Sequence, residues 1–365
     1  MSGWIDFPRC ASIAALSFGI ACISSSFAAE PQKKAEPQKK AAPQKKAAIP
    51  PDIIAAANRE GKLKLAWTGT GTDDWRQKFQ DSLNAQYGVK VAITHTPSNN
   101  QGRDVSKVLT EVSAGQKPSF DLMLFSDSAY NDLALAGMLG QHKFTELFGV
   151  PDRSVQFNDG AFAFAHQLVL PAYNTDLVKG ADIPKSWDDL LNPKWKGKIG
   201  VPSATHTWAR LSQSWGDEKT TQIVTRLAAQ GIRLGSFADL NQSLQLGEIH
   251  IMTGIIDNLM NVNRSKDAHV AWAIDVKPIL ALGIMAGPLK GAENPNAALL
   301  FSGFLAGEKG QALWAAFQNQ TSIFVHGSAS WKLVQGKDPL TLNDVFIVRD
   351  LSPRTSKYGK ILGYR

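Results

Sequence analysis

The sequence predicts an α/β protein built as two lobes joined by two apolar crossings. Three observations carry this. From Pro51 to Ala136, strand-like and helix-like segments alternate. A second alternating set begins after Asp159. Two apolar stretches, AFAFAHQLVLPAYN and HVAWAID, stand between the sets as connections. Such alternation is what an α/β sheet with helical cover requires.

The elements follow in order. Pro51 to Gly61 reads as a short helix, with Pro at its start, Ile53, Ile54 and Ala57 on one stripe, and Gly at its stop. KLKLAW alternates with the period of a strand. After the loop TGTGT, Asp73 or Asp74 caps a helix on which Trp75, Phe79, Leu83 and Tyr87 share one face. KVAITH is a second strand, Val105, Val108, Leu109 and Val112 mark a second helix, and FDLMLFS is a third strand leading into a helix over 129–136. In the second set, IGVPS and IHIMTGII read as strands. ATHTWARLSQSW, TTQIVTRLAAQG and FADLNQSLQLGE have helical spacing. After Gly291, Ala297, Leu300, Phe301, Phe304 and Leu305 mark one helix, and Leu313, Trp314 and Phe317 another. The expected division is a first lobe over 51–166 and 274–365 and a second over 167–273. A cleft between lobes is a favoured place for a small ligand, with loops at strand carboxyl ends pointing into it.

Residues 1–29 read as an export signal: Arg9 precedes an apolar run, and Ser26 and Ala28 sit like the small residues before a cleavage site. An uncleaved anchor helix and acylation at Cys22 are the alternatives. Both cysteines, Cys10 and Cys22, fall inside this segment, so the cleaved chain has no thiol. Residues 30–50 hold a Lys/Pro/Ala-rich tether, EPQKKAEPQKKAAPQKKAA, which has nothing to bury. The formal charge is +7, of which the six Lys and two Glu of this repeat supply +4. That leaves too little basic excess on the fold for a nucleic-acid protein.

Three polar loops carry the candidate ligand-binding residues. TGTGTDD offers Thr68, Gly69 and Thr70, whose hydroxyls and free N–H groups can hold an oxyanion. It lacks the GxGxxG dinucleotide fingerprint. SDS offers Ser126 and Asp127 after the third strand, and PSATHTW offers Ser203, Thr205, His206 and Thr207 between a strand and a helix. Asp257 follows IHIMTGII and can receive an amine or orient His206; Tyr173, at the end of the long apolar stretch, completes the set. Helix capping is the structural alternative for Ser126 and Asp257. Seven histidines are scattered with no HExxH or close pair, so no metal site is expected. GxSxG is absent, and no catalytic set or cofactor site is expected.

AYNTDLVKGADIPKSWDDLLNPKWKGKIGVPS resembles a motif of bacterial periplasmic substrate-binding proteins of the ferric-ion-binding type, which serve ATP-driven importers. Pro184, Ser186, Trp187, Asp188 and Leu190 match the start of a short helix. Pro193, Trp195, Lys196, Gly197 and Lys198 lead into the next strand. GEIHIMTGI and NPNAALLFSGFLAGEKGQ match two further pieces, so the likeness spans residues 61–320. It implies the two-lobed periplasmic-binding-protein fold (type II-like), a periplasmic location, Tyr173 at the start of the second lobe, and a monomer whose partners are a small solute and a membrane permease. The local chemistry agrees: Ser186 and Asp189 are spaced as a capping box, and Trp187 and Leu190 pack at i,i+3. The iron-binding members carry adjacent tyrosines where this chain reads GIIDNLMNVN, with Leu259 and Met260 near the matching positions. The expected solute is therefore small, polar, and oxyanion-bearing or zwitterionic, with ferric ion in a non-standard site as the alternative. A secreted α/β hydrolase and an envelope-tethered scaffold are the readings from other classes.

Overall fold

Strands of two to fourteen residues organise the chain around one sheet path. The computed structural model describes residues 49–68 and 73–364, and for Thr68 the backbone only. The export signal, the tether up to residue 48, and Gly69 and Thr70 lie outside the described residues. No helix among the described residues is long and apolar enough to cross a membrane.

The strands are β1 (Lys62–Thr68), β2 (Ala92–Ser98), β3 (Leu122–Ser126), β4 (Val155–Gln156), β5 (Ala161–Asn174), β6 (Ile199–Pro202), β7 (Arg233–Gly235), β8 (Ile251–Ile256), β9 (Val270–Trp272) and β10 (Leu280–Ala286). Their order is β2-β1-β3-β10-β5-β8-β6-β7, with β4 and β9 also pairing to β5. β1 lies parallel to β2 and β3, and β6 lies parallel to β7 and β8; β5 and β10 are the antiparallel elements between these groups. β5 is AFAFAHQLVLPAYN, and twelve of its fourteen residues are buried. A strand covered on both faces reads as a continuous apolar run.

Period-two alternation sorts the β1 side chains. Leu63, Leu65 and Trp67 face Phe79, Leu83, Phe301 and Phe304, while Ala66 faces Val105, Val108, Phe125 and Tyr130. Around β6, Ile199 and Val201 join Trp208, Leu211, Val224 and Tyr358 in a separate cluster. The PKSWDDLL string forms the capping arrangement its spacing predicts. The Asp189 carboxylate accepts the N–H groups of Lys185 and Ser186, and the Ser186 hydroxyl accepts the Asp189 N–H at 3.2 Å. Trp187 is buried and donates from Nε1 to the Pro278 carbonyl at 3.2 Å.

Three expectations need correction. The main return strand beside β5 is β10, LALGIMA, and HVAWAID contributes only the three residues Val270–Trp272, which pair with the end of β5. β10 is apolar throughout, so alternation does not reveal it. The end of the chain does not pack wholly with β1–β3. The helix Ser352–Leu362 buries Tyr358 and Leu362 against the helices His206–Trp215 and Asp217–Ala228. At the other end, Ile49, assigned to the tether, is buried against Gly303 and Phe148.

Candidate functional site

β3 and β8 run antiparallel to each other; β3 ends beside β10, and β8 ends beside the middle of β5. Ser126, the last residue of β3, pairs with Ile284 of β10, and Ile284 pairs with Ala165 of β5. Ile256, the last residue of β8, pairs with Val169. A helix begins at each end, Asp127–Leu135 and Asp257–Ser265, with an aspartate as first residue. A carboxylate suits a helix start because the free N–H groups and the dipole favour negative charge there. Asp127 accepts the Ser128 N–H at 2.7 Å, and Asp257 accepts the Asn258 N–H at 3.0 Å. Gly283 of β10 stands across from His166. A Cβ on it would lie 3.0 Å from the Met285 sulfur, 3.2 Å from the Ala163 Cβ and 3.9 Å from the Asp127 Cβ, so its bareness lets that helix start come close.

The helix His206–Trp215 brings Arg210 to Asp127. Nη1 donates to Oδ2 at 2.8 Å and Nη2 donates to Oδ1 at 2.5 Å. Both side chains are 2% exposed. Burial alone would push the Asp127 carboxyl up, but the guanidinium and its hydrogen bonds hold it below the usual carboxylate range. Two imidazoles stand within the field of the Asp127 carboxylate. Burial lowers His166 to about 3 and His206 to about 4, so both are neutral at pH 7. His166 Nδ1 accepts the Ile323 N–H at 3.4 Å. The ring proton therefore sits on Nε2, and that nitrogen is buried with no partner. His206 Nδ1 and Arg210 Nε are likewise buried without partners. Native interiors rarely leave such groups unpaired, so three in one neighbourhood mark a place where solvent or solute oxygen belongs. Asp257 is also buried, forms no ion pair among the described residues, and is raised by burial to about 7.

The predicted residues divide. Asp127 and His206 come together in this cluster. Asp257 reaches β5, where its carboxylate accepts the Leu168 N–H. Ser126 is half-buried, and its N–H and hydroxyl both donate to Gln101 Oε1, at 3.1 and 2.8 Å. Ser203 is exposed just beyond β6, and Thr207 is buried in the first turn of its helix. Thr205 turns away: its hydroxyl donates to the Thr355 carbonyl at 3.3 Å, beside Gly359. Tyr173 pairs with Ile251, the first residue of β8, and so lies at the other end of that strand from Asp257. It stands four positions along β5 from Val169, about 13 Å of extended chain. Thr68 ends β1.

Arg210 and His166 were missed. A signal existed for each. His166 is the one histidine in a fourteen-residue apolar strand that holds no Asp, Glu, Lys or Arg. Arg210 is i+4 from His206, within a run from Thr207 to Ser212 that is buried throughout. Among the described residues no three His, Cys, Asp or Glu group as a metal site. A cavity of about 650 Å³ lies elsewhere, beside Tyr87, Phe148 and Gly303. Its charged neighbours Glu308 and Lys309 are exposed, so the buried polar cluster is the better candidate.

The sequence profile described as bacterial extracellular solute-binding protein matches residues 76–332. No curated protein matches the chain significantly. Among solved structures, iron-bound HitA from Pseudomonas aeruginosa is 19% identical, with TM-score 0.66 over 82% of this chain and 99% of its own. Trichodesmium IdiA (FutA) in complex with iron and citrate is 18% identical, with TM-score 0.68 over 84% and 100%. The substrate-binding protein of an ABC transporter from Agrobacterium tumefaciens is 13% identical, with TM-score 0.65 over 84% and 96%. At these identities the likeness establishes the fold, an α/β solute-binding architecture of the type II periplasmic-binding kind.

Proposed function

The chain belongs to the bacterial extracellular solute-binding protein family, and on that footing we propose that its solute is an oxyanion-bearing species gripped between two lobes. Members of this family bind without turnover; the chain is an extracytoplasmic receptor that passes a small solute to an ABC-type permease. The observation that carries the solute class is the cluster of Asp127, Arg210, His166 and His206, with its buried, unpartnered Nε–H and Nε2–H donors. Such donors want acceptor oxygens.

The iron-binding relatives favour ferric ion as part of that solute. Among the described residues no three His, Cys, Asp or Glu group together, and the adjacent tyrosines of the iron-binding members are absent from the sequence. The ion would therefore arrive with carboxylate or phosphate ligands of its own, and those oxygens would meet the donors. The two strands β5 and β10 would serve as the hinge about which lobes close on the solute.

A metal-free zwitterion is the second reading. Asp257 favours it, because a buried carboxyl with no cation against it can receive an ammonium group.

Protein stripped of its solute and titrated calorimetrically with ferric citrate, citrate, phosphate, an uncomplexed ferric salt and a neutral hexose tests these readings. Ferric citrate or a free oxyanion should bind. Tight binding of the hexose alone would remove the proposal.

A further inference from the structure

A buried ion pair seldom stabilises a fold more than apolar packing of the same volume would. The pair of Asp127 and Arg210 is nonetheless almost wholly enclosed, and joins residues 83 apart in sequence. Its geometry is that of a ligand complex. The planar guanidinium fork meets a carboxylate with two parallel hydrogen bonds, the arrangement by which arginine recognises carboxylate and phosphate groups in general. The surrounding donors are not used up. Arg210 Nε and His166 Nε2 have no partner, and one carboxylate already occupied by Arg210 and the Ser128 N–H does not reach them. A bound group with more oxygens would satisfy both.

We propose that Arg210 is the oxyanion-recognition residue of this site, and that Asp127 is an internal carboxylate that occupies its guanidinium until the solute's own oxyanion takes its place. The proposal rests on the receptor reading above and deepens it. Binding is then an exchange of one anion for another, and no covalent bond changes. A neutral solute cannot compete for the fork, so the internal carboxylate acts as a selectivity device. It also lowers the apparent affinity by the fraction of molecules in which Asp127 holds Arg210. Once displaced, Asp127 stays at a helix start, where its charge is tolerated.

The test uses the full chain, stripped of solute, with citrate and phosphate as probes. Asp127→Asn keeps the shape and removes the competing charge; its affinity for the better probe should rise at least tenfold. Arg210→Gln should lose at least a hundredfold. In Asp127→Ala, added formate should raise the melting temperature by several degrees, with no such rise in the unaltered protein. Should these variants fail to fold, carbon-13 signals of the Asp127 carboxyl in the unaltered protein decide the matter, since saturating probe should shift them. Unchanged or weaker anion affinity in folded Asp127→Asn, or a carboxyl signal that stays put, overturns this exchange while leaving the receptor reading intact. An unaltered protein that binds neither probe nor ferric citrate, yet binds a neutral solute, overturns both.

Discussion

The carboxylate of Asp257 accepts the backbone N–H of Leu168 at 3.2 Å, and forms no ion pair among the described residues. Burial therefore raises it from 3.8 to about 7. The unfolded chain ionises near 4, so the fold loses stability as pH climbs from about 4 to 7, and the loss is constant above 7. Asp257→Asn should be more stable than the unaltered protein above pH 7, by roughly 4 kcal/mol at most, with the gain vanishing below pH 4. Urea unfolding of solute-free protein between pH 3.5 and 8 measures this.

The two imidazoles act in the other direction. His166 is held neutral by burial down to about pH 3, and His206 to about 4. The unfolded chain takes up protons below about pH 6.5, so the histidines destabilise the fold as pH falls. For His166 alone the loss between pH 7 and pH 5 should be about 2 kcal/mol. His166→Gln should flatten that limb of the curve. An acid limb of the same steepness in the variant would contradict this.

Thr205 donates to the Thr355 carbonyl rather than into the cluster. Thr205→Ala should leave the affinity for the solute within twofold of the unaltered protein and cost about 1 kcal/mol of stability. A calorimetric titration in which this variant loses tenfold in affinity would return Thr205 to the binding surface.

Trp187 is packed edge-on against Trp208 and Trp215, with ring centroids 5.6 and 5.9 Å away. Trp187→Ala removes this contact and the bond to Pro278, and should cost about 3–5 kcal/mol, read as a lower urea midpoint. The affinity of the protein that remains folded should change little, because Trp187 touches none of the cluster residues through the bonds described.

Tyr358 fastens the C-terminal helix. Its hydroxyl donates to Asp217 Oδ1 at 2.7 Å. Tyr358→Phe should cost about 1 kcal/mol. Deleting 352–365 should cost far more, since it strips Tyr358 and Leu362 from the cluster around β6. Equal melting temperatures for the deletion and the intact chain would show that this packing contributes nothing.

What the sequence determined by itself is local. Alternation in KLKLAW, the i,i+4 face of Trp75, Phe79, Leu83 and Tyr87, and the Ser186–Asp189 capping spacing each involve residues a few positions apart, and short-range sterics and hydrogen bonds decide them. The long apolar run of β5 was legible for the same reason, and the PKSWDDLL and GEIHIMTGI strings pointed to the right family. The tertiary structure decided what lies far apart in sequence. That β10 lies along most of β5 while HVAWAID meets only its end, that Ser352–Leu362 packs on the helix of Arg210, and that Arg210 faces Asp127 all follow from strand order and register. Apolar patterning states that a segment is buried but not against which partner, because the hydrophobic effect has no direction. Only the assembled sheet, by ending β3 beside β10 and β8 beside β5, gathered polar residues scattered along the sequence into one neighbourhood.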